Sequence, residues 1–213
     1  MRMRQRHDER GVALLMALVT AALVTAIATT MVMSSSTDLV ITGNTRASME
    51  AMYAAEAAGQ RAIGELATIG DWSTVLAAPP GNVTATFDDG ETMVRAPDGR
   101  SLSVPVLTAA RQTASAVTYG PGFGADSPVW RLFGHADIRA LLPPGVTSPP
   151  AYVLIHVADD GGDGDGDPES DANGQLIVYA EAYGVSGAHR AVELAVSRVT
   201  PGTIRVLSWK DPR

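Results

Sequence analysis

The sequence predicts an α+β protein in which a long amino-terminal helix packs against a carboxy-terminal antiparallel β-sheet. Three features support this fold class. An uncharged apolar run extends from Gly11 to Met33. An alanine-rich stretch over 47–66 repeats its larger side chains near a period of 3.6 residues, as an amphipathic helix does. Segments typical of strands, separated by turn residues, then fill the last third of the chain.

The composition of the 213-residue chain excludes several kinds of protein. With 46% hydrophobic residues, the chain is too apolar for a disordered polymer. Its formal net charge of −7 argues against a basic surface that follows phosphates, so we expect no nucleic-acid partner. It contains no cysteine, which excludes thiol catalysis, disulfides and thiolate metal sites. Only 5% of residues are aromatic, so Ala, Val, Leu and Ile are expected to build most of the core.

The apolar run is long enough to cross a membrane. No ionisable side chain occurs between Arg10 and Asp38, and about 20 apolar residues suffice for a transmembrane helix. The arginines before the run place its amino-terminal end in the cytoplasm. The run is long for a secretory signal peptide, whose apolar stretch has only about 7–15 residues, which argues against that interpretation. Two interpretations stay open: a permanent single-pass anchor, or a prepilin leader that is cut after Gly11 and before Val12.

Cleavage at that junction would remove four arginines and two acidic residues and change the formal net charge from −7 to −9. The loss of the positive cluster would help the helix to leave the bilayer. Beyond the apolar run the helix is predicted to continue, with a weak point at Gly43-Asn44 and a stop near Gly70-Asp71. The predicted domains are a leader at 1–11, a helix at 12–70 and a β-rich head at 71–213.

Turn residues divide the head into strands, and helical periodicity fades after Asp71. We predict a hairpin of strands at 82–87 and 91–95 around an acidic turn, followed by a turn at 97–99 and a strand at 101–104. The later segments are a glycine loop at 120–124, a strand at 129–133, an irregular connection at 143–150, and strands at 152–157, 175–183, 188–199 and 203–209, with a tight turn at 184–187.

An acidic, glycine-rich loop separates the first two of those last four strands. Asp163, Asp165 and Asp167 have the spacing of the first three ligands of an EF-hand loop. The sixth and twelfth positions then lack the required glycine and glutamate. Two interpretations stay open: a Ca²⁺ loop of another type, with Asp171 as a further ligand, or a solvated acidic loop without metal. Calorimetric titration with Ca²⁺ distinguishes them.

Residues with catalytic potential are few. His135, His156 and His189 are isolated in the sequence, and His156 lies within an apolar strand, so each is expected to be a packing or turn residue rather than a base. The segment 184–188 lacks the second glycine of a nucleophile elbow, and no P-loop or dinucleotide fingerprint occurs. We therefore expect a protein that is not an enzyme and has no cofactor other than the Ca²⁺ left open above.

Four segments near the amino terminus resemble the PilX-type minor pilins. They are, in order, RGVALL at 10–15, SSS at 34–36, GNTR at 43–46 and AAEAA at 54–58. The resemblance covers about the first seventy residues. It implies a pilin-like fold and a single-pass inner-membrane protein with a cytoplasmic amino terminus and a periplasmic head. It also implies processing by a prepilin peptidase at Gly11 and Val12, and assembly into a type IV pilus at the cell surface with other minor and major pilins, on the inner-membrane assembly platform.

One position departs from the major pilins, which carry Glu at the fifth mature position, where its carboxylate meets a neighbour's amino terminus. Met16 occupies that position here. A charge in hydrocarbon is costly unless it is paired, so a subunit without the Glu cannot make that contact. The subunit then either docks by packing alone or takes a place at the filament tip. The expected function is initiation of pilus assembly or tip formation. The alternatives are a tip pseudopilin of type II secretion and a permanently anchored periplasmic binding module with a Ca²⁺ loop.

Overall fold

The computed structural model describes residues 5–79, 81–119, 122, 124–162 and 164–212. The chain divides into two compact units, Met1–Thr45 and Arg46–Arg213. The protein is α+β as predicted, because a long helix with an apolar stretch, α1 (Gln5–Leu66), is followed by an antiparallel five-stranded sheet. The leader and domain boundaries proposed from the sequence stay predictions.

Helix α1 remains helical through Gly43 and Asn44, where the sequence predicts a weak point. An ion pair between Arg46 and Glu50 (2.7 Å) spans the next turn. The helix ends at Leu66, before the predicted stop at Gly70. The indole N–H of Trp72 donates to the Leu66 carbonyl (3.0 Å) and so satisfies one of the acceptors that a helix end leaves unpaired.

Small residues form the side of α1 that is buried in the second unit. They are Ala47, Ala51, Ala54, Ala55, Ala58 and Ala62, followed by Leu66. Spacings of three and four residues place them on one stripe. The predicted amphipathic helix therefore forms, but its buried side consists mainly of alanines: Met49 and Tyr53, two of the larger side chains whose repeat predicted the helix, are 51% and 61% exposed. Because these side chains are small, the helix approaches the sheet closely. A β-carbon built at Gly59 would lie only 2.8 Å from Cδ1 of Leu194.

The five antiparallel strands form a meander in which each strand pairs with the next along the chain. Their bounds are β3 (Arg131–Asp137), β4 (Tyr152–Asp159), β5 (Gln175–Tyr183), β6 (His189–Thr200) and β7 (Thr203–Lys210). The four strands predicted in the last third are confirmed, while the strand predicted at 129–133 begins and ends later, as β3. The predicted tight turn between β5 and β6 contains Ser186 (φ 56°) and Gly187 (φ 74°).

Different elements cover the two faces of the sheet. One face, with Val153, Ile155 and Val178, shares a core with α1 and with the short helices α2 (Ser73–Leu76) and α4 (Ile138–Leu141). The other face carries Tyr152, Leu154 and His156 and is covered by a hairpin and by helix α3. The hairpin consists of β1 (Met93–Arg95) and β2 (Ser101–Ser103), and α3 spans Val104–Tyr119. Four buried polar side chains of the sheet lie on this second face, His135, His156, Glu181 and Glu193, whereas Asp159 alternates onto the face of Val153 and Ile155.

The hairpin predicted over 82–95 is wrong. Residues 82–87 form no strand, and the backbone N–H groups of Thr84 and Ala85 instead donate to the Phe133 carbonyl (3.2 and 2.9 Å), covering the edge of β3. The hairpin forms one turn later, between β1 and β2, and confirms the strand predicted at 101–104. Its turn suits the local sequence, because Gly99 has φ +88° and Asp98 accepts from the Arg100 N–H (3.0 Å).

The sequence analysis predicted no helix over 104–119, where α3 has sixteen residues. Its sequence has three valines and three threonines, which have modest helix propensity, beside four alanines, which favour a helix. Among its residues only Val104 and Ser115 are buried, so the apolar periodicity is weak. A signal for its start was present in Pro105, since proline is favoured in the first turn of a helix.

Candidate functional site

The apolar half of α1 has an uncovered surface. Every side chain from Gly11 to Arg46 is exposed, including Val12 at 57% and Met16 at 65%. A continuous apolar surface of this length is unusual for a soluble monomer and marks an interaction surface. By length and composition the helix can cross a membrane, as either a membrane anchor or a signal segment would. The orientation and compartment given above stay predictions.

Hydroxyl groups in this half of α1 bond within the helix. Six of them donate to the carbonyl oxygen four residues earlier, at 2.7–3.0 Å. The residues are Thr20, Thr25, Thr29, Thr30, Ser36 and Thr37. An unsatisfied hydroxyl would be costly in hydrocarbon, so these bonds make the segment compatible with a bilayer.

The predicted processing junction lies in this uncovered helix. A β-carbon built at Gly11 would meet no heavy atom within 4 Å. Gly11 and Val12 are both exposed. Met16 lies one turn further on, on the same helix. The junction and the role of position 16 stay predictions.

The acidic loop uses its described carboxylates for local hydrogen bonds. Asp165 accepts from the Asp167 N–H (2.9 Å), and Asp171 accepts from the Gly174 N–H (2.7 Å). Asp167 accepts from the Glu169 N–H (3.1 Å). Within the described residues, no three His, Asp or Glu side chains are arranged to hold a metal ion.

Asp163, the first residue of the EF-hand-like spacing, lies outside the described residues. The Ca²⁺ site therefore stays a prediction, with the calorimetric titration as its test. The loop itself is attached to the rest of its unit, because Glu169 pairs with Arg131 and the Asp171 N–H donates to the hydroxyl of Ser73 (3.1 Å).

A cleft of about 650 Å³ lies between α3, the start of β3 and the segment 79–92. Most of its walls are apolar: Val83, Val104, Pro105, Ala109, Val129 and Leu132. Its polar side chains include Asp88, Glu91, Thr108, Gln112 and His135. These residues are far apart in the sequence, so no local motif marks the cleft.

The sequence suggested that His135 is isolated. In the structure, however, His135 lies between two aspartates. Its Nδ1 is 2.7 Å from the Tyr152 hydroxyl and 3.1 Å from Oδ1 of Asp89, and its Nε2 is 3.4 Å from Oδ1 of Asp88. The Tyr152 hydroxyl donates to Asp89 (2.7 Å). Burial, together with the Asp89 carboxylate, raises the pKa of Tyr152. The cluster fastens residues 88–89 to the sheet, which explains why they do not form the predicted hairpin turn.

His156 is fully buried beneath α3, in agreement with the prediction of a packing residue. Its Nε2 is 3.0 Å from the Thr108 hydroxyl, which itself donates to the Val104 carbonyl (3.1 Å). The hydroxyl therefore accepts from Nε2–H, and Nδ1 is the unprotonated nitrogen. Nδ1 has no hydrogen-bond partner among the described residues. Burial away from water lowers the pKa of His156 to about 4.

Helix α3 is also fixed to the sheet through Arg111 and Gln112. The Arg111 guanidinium lies between the rings of Trp130 (4.4 Å) and Tyr179 (4.0 Å), as in a cation–π contact. The side-chain amide of Gln112 donates to the Pro128 carbonyl (3.1 Å) and accepts from the backbone N–H of Trp130 (2.8 Å). These contacts hold the two long walls of the cleft at a defined separation.

Comparison with protein-family models, with curated proteins and with solved structures gave no match for this chain. Its function is therefore argued from its own residues.

Proposed function

We propose that the chain is a minor pilin of a type IV pilus. In this proposal α1 crosses the inner membrane with its amino terminus in the cytoplasm, and the unit Arg46–Arg213 lies in the periplasm. A prepilin peptidase removes residues 1–11. The helix then leaves the bilayer and packs with the helices of other pilins, so that the protein initiates the filament or forms its tip.

One observation carries the proposal: a charge-free, fully exposed helical surface follows directly on an arginine-rich peptide that ends in Gly11. A permanent anchor needs the apolar surface but gains nothing from a glycine at that junction. A filament subunit needs both, because its helix must lose the charged peptide before it can move from lipid into a bundle of similar helices.

The second unit supports the same proposal. Its part of α1 presents a stripe of alanines to an antiparallel sheet, as the proposal expects of a pilin head. The ordered segments RGVALL, SSS, GNTR and AAEAA add to this support. A tip pseudopilin of type II secretion would share all these features and differs in the phenotype of a deletion, which would affect secretion instead of pili.

The first prediction concerns processing. In cells that carry the prepilin peptidase, the membrane-extracted protein should begin at Val12, and the variant Gly11→Val should keep its leader and be absent from sheared filaments. The bulky side chain would block the peptidase without disturbing the fold, because a β-carbon at Gly11 meets open space. Amino-terminal sequencing and intact mass measure the outcome.

Gly43→Val is the matched control. Gly43 lies in the same helix, and a β-carbon there also meets no atom within 4 Å. This variant should be processed like the unsubstituted chain. If the unsubstituted protein kept residues 1–11 throughout its life, the filament proposal would be refuted and the anchored binding module would be favoured.

The second prediction concerns position 16 and separates the tip from the shaft. If absence of the fifth-position carboxylate restricts the subunit to the tip, Met16→Glu should raise its amount along sheared filaments severalfold, because the carboxylate can then pair with a neighbour's amino terminus. Val19→Glu places the same charge on an equally exposed position of the helix and should give no increase. Immunogold labelling counts subunits per filament length, and unchanged incorporation of Met16→Glu would remove the tip argument.

A further inference from the structure

The cleft beside α3 has the size and wall chemistry of a small-molecule site. Its volume of about 650 Å³ falls in the range of roughly 300–1,000 Å³ that is usual for such sites. Apolar side chains from α3 and from the residues around β3 form its walls, and a few polar groups converge on it. This combination is the one expected of a site that binds by apolar burial and orients its ligand through polar contacts.

The polar groups of the inner wall are already held in place. Thr108 is bonded to Val104 and His156, and Gln112 bridges to the backbone on either side of Val129. Because these bonds join α3 to the sheet, the cleft is preformed, and little ordering is required when a ligand enters.

The charges around the cleft favour a cation. Asp88 and Glu91 bring two carboxylates to its lining. The described lining has two basic side chains. Arg131 pairs with Glu169 and donates to the Leu76 carbonyl (2.7 Å), and His135 lies between Asp88 and Asp89, so each of them already faces a carboxylate. The amino-terminal end of α3 adds a partial positive charge of about half a unit, which is smaller than the charge of the two carboxylates. A concave, partly apolar site concentrates the remaining negative potential.

We propose that this cleft binds a small organic cation with an apolar body, of the alkylamine or arylamine class. The apolar body lies between α3 and the residues that precede β3, and the ammonium group lies toward Glu91 and Asp88. Anions of the same size are excluded by these carboxylates. This binding is separate from filament assembly, since none of the cleft residues belongs to the apolar half of α1.

The test uses the full chain in lipid nanodiscs and three probes of similar shape: phenethylamine, 2-phenylethanol and 3-phenylpropanoate. Isothermal titration, corrected with empty nanodiscs, should show saturable binding of phenethylamine. 2-Phenylethanol should bind at least about fivefold more weakly, and 3-phenylpropanoate should not bind. Loss of one carboxylate in Glu91→Gln should weaken phenethylamine binding about five- to tenfold, as expected for one partly screened charge.

A pair of neighbouring alanines supplies the matched control. Ala109 and Ala110 are both exposed on α3, but only Ala109 lines the cleft. Ala109→Trp should abolish binding by filling the space, whereas Ala110→Trp should bind like the unsubstituted chain. The proposal is overturned if the unsubstituted chain does not bind phenethylamine, if the carboxylate probe binds equally well, or if Ala109→Trp still binds. A neutral probe as strong as the amine would refute the cationic part.

Discussion

Replacing Trp72 by alanine should destabilise the second unit by about 3–5 kcal/mol, the range typical of a fully buried tryptophan. The side chain is completely buried, and its indole N–H donates to Leu66 at the end of α1 (3.0 Å). The Arg198 guanidinium lies 4.1 Å from the ring and donates to the carbonyls of Gly70 and Ile69 (2.6 and 3.1 Å). The substitution would therefore open a large cavity and also loosen the segment that joins α1 to the rest of the unit.

Trp209→Ala is the control for this prediction. Trp209 lies on the edge strand β7 and is 41% exposed, so its loss should cost only about 1 kcal/mol. Urea unfolding of the full chain in detergent, followed by the fluorescence of the remaining tryptophans, measures both changes. Trp130 is 3% exposed and reports on the core in either variant. Equal losses for the two variants would contradict the central packing role of Trp72.

The stability of the second unit should fall by about 3 kcal/mol between pH 7 and pH 4 through His156 alone. The folded-state pKa is about 4, against about 6.5 in an unfolded chain, and each pKa unit corresponds to about 1.4 kcal/mol. Because the pKa is lowered on folding, the unfolded chain binds more protons between these values. The stability is thus fully present above pH 6.5 and is lost as the pH falls toward 4.

The physical reason lies in the second ring nitrogen. Protonation would place an N–H at Nδ1, which has no acceptor among the described residues, and would bury a positive charge near the Arg111 cation. The negative charge of Glu181 acts in the opposite direction but does not outweigh burial.

His156→Gln removes the titrating group while keeping a side-chain amide that can donate to Thr108. Urea unfolding of both proteins at pH 7, 5.5 and 4 gives the difference in pH dependence, in which the titration of the carboxylates largely cancels. The variant should lose about 3 kcal/mol less than the unsubstituted chain over this range. Parallel pH profiles would show that His156 takes up its proton equally well in the folded and unfolded states.

The elements predicted correctly are those whose pattern is complete within one segment. The helix over 47–66 was predicted from its repeated larger side chains and frequent alanines, and β4 and β5 are mostly apolar runs bounded by proline, glycine or acidic turn residues. Helix α3 was missed because packing places only two of its residues in the core, so its own sequence carries little periodicity. The processing junction at Gly11 and Val12 is likewise a local pattern, which is why it could be proposed from the sequence.

Two predictions were wrong for one reason: the hairpin over 82–95 and the isolation of His135. In both, side chains bind partners that are distant in the sequence instead of local ones. Asp88 and Asp89 have the composition of a hairpin turn, but their side chains bind His135 and Tyr152, both from distant parts of the chain. Gly134 allows residues 84–85 to pack against β3, since a β-carbon at Gly134 would lie only 2.5 Å from the β-carbon of Ala85. Neither the His135 cluster nor the cleft has a local pattern that could have revealed it.

The sequence by itself determined the uncharged apolar helix, its helical continuation over 47–66 and the last four strands of the meander, and the structure decided that alanines form the buried side of that continuation. Side-chain periodicity within a segment selects helix or strand because it decides which face can be buried. Only the tertiary structure decided that 84–89 cover the edge of β3, that 104–119 form a helix, and that a preformed cleft lies between them. Those outcomes depend on hydrogen bonds and burial offered by residues tens of positions away, and these contacts outweigh weak local preferences.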